Sequence, residues 1–154
     1  MDYIKNNEKW ERLNMYVLFG GNVMDNNEIK SIIESKTDFK VIKDMTRGTK
    51  REDMHAFCLS VSISTLNEII EEEYDDFDLN EIDEDELFDE YLSLAEEMAL
   101  DMEEFIPDGA IIDAKSYKWD QSDNDIKTIV IIASDEVDER KIGDVMKRLI
   151  TQGE

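Results

Sequence analysis

Apolar side chains recur through residues 85–106 at Leu87, Phe88, Tyr91, Leu92, Leu94, Ala95, Met98, Ala99, Met102, Phe105 and Ile106. This i, i+3, i+4, i+7 spacing predicts an amphipathic helix with a broad buried stripe. The opposite face is carboxylate, with Glu86, Asp89, Glu90, Glu96, Glu97, Asp101, Glu103 and Glu104 on it and Leu100 as an apolar intruder. Pro107, Asp108 and Gly109 supply a stop and a reversal, because proline cannot continue a helix and glycine accepts left-handed backbone angles. Upstream, Leu66, Ile69 and Ile70 predict a second, shorter helix within 64–80, running into Tyr74, Phe77 and Leu79 among acids. Residues 81–86 read as the connecting loop and the first turn of the long helix, where carboxylates sit well against the positive end of the dipole.

The remaining segments follow shorter patterns. An apolar strand at 15–19 ends in a turn at Gly20-Gly21, and Asp25 caps a helix through Ile29, Ile32 and Ile33, with Glu28 placed as its capping-box partner. Phe39, Val41 and Met45 alternate with Lys40, Ile42 and Asp44, and a polar turn at 46–49 follows. Phe57, Leu59, Val61 and Ile63 then alternate with Ala56, Cys58, Ser60 and Ser62, the period of two that marks a half-buried strand. Residues 110–119 and 126–133 predict a hairpin joined by the polar loop 120–125, and the last helix covers 137–150. Residues 1–12, with Trp10, read as a short docking helix or a loose segment. The resulting β-α-β-β-α-β-β-α order predicts an α+β fold: a small antiparallel sheet, compatible with ferredoxin-like elements, carrying helices on one face that include the long acidic amphipathic helix. One domain is expected over 1–154, with the acidic helical segment 64–108 as an insertion and layer of it; 154 residues suffice for one core.

Charge divides the chain more sharply than hydropathy does. Forty Asp and Glu face 17 Lys and Arg, for a formal net charge of −23. Residues 52–113 hold 23 acids and no Lys or Arg, so the other 17 acids balance every basic residue and all the net charge lies in that window. A surface of this sign excludes unaided binding to nucleic acid or anionic lipid. Solubility alone asks for a net charge of only about 2–8 in magnitude, so the acidic block implies a positively charged partner. An acid at every second or third residue of a helix rising about 1.5 Å per residue approaches the charge density of duplex DNA, one phosphate per roughly 1.7 Å.

Candidate chemistry of other kinds is sparse. Cys58 is the single cysteine, which excludes an intramolecular disulfide and a cysteine zinc site. His55 lies on the opposite strand face from Cys58, because an offset of three reverses direction, and no Ser or Asp constellation accompanies either. Gly20-Gly21-Asn22 follows a strand and precedes a helix but lacks the spacing of a phosphate loop. A calcium loop needs glycine at its sixth place and glutamate at its twelfth. Begun at Asp76 the template finds Glu81 and Leu87, and begun at Asp120 it finds Asp125 and Ile131. No catalytic, cofactor or metal residue is therefore expected, and the enzyme class is rejected. Residues 1–13 are charged throughout and no apolar run approaches the roughly 20 residues that span a bilayer, so a cytoplasmic location is expected, bacterial or in the host of a phage.

The expected partner-binding surface comprises Glu71, Glu72, Glu73, Tyr74, Asp75, Asp76, Phe77, Asp78, Leu79, Glu81, Asp83, Glu84, Asp85, Glu86, Asp89, Glu90, Glu96 and Glu97. Carboxylates would supply the field, and Tyr74, Phe77 and Leu79 the anchors. The expectation is an acidic inhibitor of the nucleic-acid-mimic type that occupies the basic groove of a nuclease or effector. Anti-CRISPR, anti-restriction and toxin-immunity proteins are settings for it. The alternatives are an acidic adaptor or chaperone for basic proteins, and a metal-dependent regulator.

Overall fold

The computed structural model describes residues 16–19, 22–73 and 81–153. Its elements are β1 (Tyr16–Phe19), β2 (Asn22–Asp25), α1 (Asn26–Lys36), β3 (Lys40–Asp44), β4 (Met54–Ser62), α2 (Ile63–Glu73), α3 (Glu84–Leu100), β5 (Ala110–Asp120), β6 (Asp125–Ser134) and α4 (Glu139–Gly153), with 3-10 turns at Thr46–Thr49 and Asp101–Phe105. The fold is α+β. Four strands form an antiparallel sheet in the order β3-β4-β6-β5, and β1 and β2 pair separately as a two-stranded hairpin. The expected first strand is thus present, and it pairs with β2, whose last residue Asp25 is the helix cap, instead of joining the main sheet.

Strands β4 and β6 form the centre of the sheet and pair without interruption from Met54↔Ala133 to Ser62↔Asp125. Their side chains alternate between two cores. Phe57, Leu59, Val61, Val130 and Ile132 join residues of α1, α2 and α3 on one face. Met54, Ala56, Cys58, Ile129, Ile131 and Ala133 pack with Val137, Ile142, Val145, Met146 and Leu149 of the α4 region on the other. The helical layer expected on one face is therefore α1–α3, and α4 adds a layer on the opposite face. This second layer explains why β4 is buried at eight consecutive positions, from Met54 to Val61, where alternation predicted a half-buried strand. Ala, Cys and Met are small or adaptable enough to lie beneath a helix, so a period of two with modest residues on one side reads as solvent-facing when it is not.

Local chemistry sets the joints. The Asp25 carboxylate accepts the backbone N–H of Glu28 at 2.8 Å and starts α1 as expected. Gly109 at φ 91° makes the reversal after the acidic helices. Arg148 of α4 donates to the carbonyls of Gly48 and Thr49, at 3.2 and 2.6 Å, tying α4 to the 3-10 turn. A Cβ at Gly48 would meet Leu149 and Gln152 at 3.1 Å, which sets how closely the two can approach. The acidic segment forms the crossover between the β3–β4 and β5–β6 hairpins. Leu66, Ile70, Tyr91, Leu94, Ala95, Ala99 and Met102 from it are buried in the larger core. No helix among the described residues is long and apolar enough to cross a membrane.

Candidate functional site

The anionic surface is built on α2 and α3. Helix α3 begins at Asp83, whose side chain accepts the N–H of Asp85, and Glu84, Asp85 and Glu86 occupy its first turn. Its buried edge is held by aromatic packing: the Trp119 ring of β5 meets Tyr91 edge-on at 5.1 Å and stacks with Phe88 at 6.3 Å between centroids. The Tyr91 hydroxyl donates to Asn67 of α2, linking the two helices. Burial raises the Tyr91 pKa, which keeps the hydroxyl protonated to donate this bond. The scaffold beneath the acids is therefore a packed one.

Among the described residues of the expected surface, Glu71, Glu72, Glu73, Glu81, Asp83, Glu84, Asp85, Glu86, Asp89 and Glu97 are exposed, and Glu90 is half-buried. None of these has an ion pair with a described residue. Tyr74, Asp75, Asp76, Phe77, Asp78 and Leu79 lie outside the described residues, as do residues 1–12 and the Gly20-Gly21 turn. Seven carboxylates fall on the 17 residues of α3. At about 1.5 Å rise per residue the six other than Glu96 give one per about 4.3 Å, somewhat sparser than the roughly 3.4 Å charge spacing along one DNA strand and about 40% of the density of the duplex.

Glu96 departs from the expected arrangement. Its carboxylate accepts the backbone N–H of Ser116 at 2.9 Å and lies 3.8 Å from the Lys115 ammonium, so it turns toward β5 and is spent inside the fold. Adjacent positions on a helix are about 100° apart, which is why Glu97 next to it points to solvent and Glu96 does not. The acidic face also extends beyond the expected set. Asp101 and Glu104 continue it through the 3-10 turn, both exposed, and Asp38 of the α1–β3 connection joins its far end, whereas the exposed Glu103 borders a separate pocket with Ile111, Glu139 and Ile142. No local pattern signals Asp38, because its neighbours come from other helices.

The placement of these acids runs against helix stability. Glu71, Glu72 and Glu73 close α2, and Glu96 and Glu97 stand near the end of α3, with no basic residue in the last turn of either helix. The C-terminal end of a helix is the negative end of its dipole, where cations stabilise and anions cost roughly 0.3–1 kcal/mol each.

The other candidate groups have structural partners. His55 is fully buried between Phe19 and Phe57, and its Nε2 lies 3.0 Å from the Met24 carbonyl. A carbonyl only accepts, so Nε2 carries the proton, and Nδ1 has no hydrogen-bond partner among the described residues. Burial lowers the His55 pKa, against the Met24 bond and the charges of Asp44 and Asp25. Cys58 faces the other core, 3.4 Å from the Tyr117 hydroxyl, so the two are separated by the sheet as their offset implies.

Asp120, Asp123 and Asp125 bring carboxylate oxygens within 4.8 Å of one another, the cluster whose geometry best suits a metal among the described residues. The Lys127 ammonium already sits there, 2.7 Å from Asp125 and 3.1 Å from Asp123, and Ser60 donates to Asp125. Burial disfavours the Lys127 charge, yet the hydrogen bonds it donates to Asp125 and Asp123 outweigh this and hold its pKa above the ordinary value. A metal ion would have to displace that ammonium. Comparison of the chain with family models, curated proteins and solved structures gives no match.

Proposed function

We propose that this protein is an acidic inhibitor whose α2–α3 face occupies the basic nucleic-acid-binding groove of a nuclease or effector, in place of the polynucleotide. A phage anti-defence protein acting on a CRISPR or restriction effector and a nuclease-toxin immunity protein are both settings for such a role. One observation carries the reading: six displayed carboxylates on α3, at about 4.3 Å of axis each and without an ion pair to a described residue, on a helix whose other side is buried in the core. Acids at helix C-termini reduce stability, and their retention there is accounted for by a partner that reads the field. Charge complementarity of this kind accelerates encounter and makes it sensitive to salt.

The test is capture of the partner by tagged protein from a lysate of its host or a neighbouring strain, eluted at graded salt and by competing duplex DNA. A single stoichiometric nucleic-acid enzyme displaced by DNA is the expected result. Reversal of Glu72, Asp83, Glu86 and Asp89 to lysine should abolish capture with the melting transition preserved. Unchanged capture by that variant rejects the face as the contact surface, and a broad set of basic proteins in the eluate replaces the inhibitor with an adaptor or chaperone.

A further inference from the structure

A groove of about 410 Å³ lies where the C-terminal ends of α1, α2 and α3 meet the 3-10 turn that follows α3. Its floor is apolar: Met102 is buried, Ile69 and Met98 are half-buried, and Phe105 keeps 39% of its surface exposed. Asp38, Glu72, Glu73, Glu97, Asp101 and Glu104 line it, against one ammonium among the described residues, that of Lys36. Helix C-termini carry carbonyls without intrahelical partners and the negative end of the dipole. Three of them at one groove add to the carboxylates, so the site concentrates negative potential above an apolar surface.

These two properties together restrict the occupant. Anionic ligands are repelled. A purely ionic cation would leave Phe105 and Met98 in water, and an apolar ligand without charge would desolvate the carboxylates with nothing to replace the water. Both demands are met by arginine or lysine side chains flanking large apolar ones, as on one face of an amphipathic helix laid in a groove. The volume lies within the roughly 300–1,000 Å³ of ordinary binding clefts.

We infer that this groove is the anchor that seizes a cationic, amphipathic segment of the partner protein and so sets specificity within the anionic face. The inference rests on the reading of that face as a protein-binding surface, and adds that recognition needs apolar contact as well as charge. A helical Leu/Arg peptide and a Ser/Arg peptide of equal length and charge serve as probes, by fluorescence anisotropy at low salt and at about 150 mM salt. The Leu/Arg peptide should bind tighter. Met98→Ser with Phe105→Ser should weaken it at least about tenfold, the loss of a modest hot spot, and leave the Ser/Arg peptide unaffected. Should that variant fail to fold, Asp101→Asn with Glu104→Gln, which leaves the floor untouched, should weaken the Leu/Arg peptide in the same direction. Wild-type affinity in the folded variants overturns the inference. Equal binding of the two peptides overturns it while leaving the anionic face standing, and failure of both peptides to bind at low salt overturns both.

Discussion

Neutralising Glu71, Glu72 and Glu73 together, as Glu→Gln, should stabilise the protein. All three are exposed and occupy the last turn of α2, where the dipole is negative and no basic residue compensates. Glutamine and glutamate have nearly the same helix propensity, so the substitution changes charge and little else. Exposure to solvent places each residue at the low end of the dipole range, about 0.3–0.5 kcal/mol, and the three together should contribute about 1–1.5 kcal/mol. For a chain of this length each kcal/mol shifts the midpoint by about 2–4 °C, which gives an increase of about 2–6 °C. Thermal melting followed by circular dichroism at low salt measures it directly. At about 1 M salt the Debye length falls to roughly 3 Å, and most of the gain should vanish. A midpoint that stays or falls at low salt, or a gain that survives high salt, would refute the argument that these acids are held against stability.

Three further outcomes follow from the packing. Glu96→Ala leaves the Ser116 N–H and Lys115 without their partner and should cost about 1–3 kcal/mol, whereas Glu97→Ala should change the urea midpoint little; equal effects would contradict the division between structural and displayed acids. Lys127→Met strands Asp125 among buried groups and should cost about 3–5 kcal/mol, measurable as a large drop in the denaturation midpoint. His55 is held neutral by burial, so its pKa is lower folded than unfolded and the unfolded chain takes up the proton first. Its contribution is therefore complete above the unfolded value of about 6.5 and is lost as pH falls through the lower folded value. Urea midpoints should decline just below pH 6.5 or so, and His55→Gln, which keeps an N–H for the Met24 carbonyl, should remove that slope; an unaltered slope would assign the acid sensitivity elsewhere.

Periodicity and composition alone locate the acidic helices, the Asp25 cap, the β5–β6 hairpin and the separation of charge, because each depends on residues a few positions apart. The long helix expected over 85–106 divides into α3 and the 3-10 turn Asp101–Phe105, and the intruding Leu100 and nearby Phe105 are 42% and 39% exposed. The apolar stripe thus continues past the point where the core can cover all of it. Tertiary structure decides the rest. It places α4 over the second face of the sheet, which alternation in β4 could not reveal, since Ala56 and Cys58 suit either a solvated or a covered side. It turns Glu96 inward and leaves Glu97 outward, and it brings Asp38, Glu72 and Glu104 from three separate segments to one groove. Charge and helical phase are properties of the local chain and are written into it. Which carboxylate meets a lysine, and which helix ends meet one another, depends on contacts between distant segments that exist only once the sheet has formed.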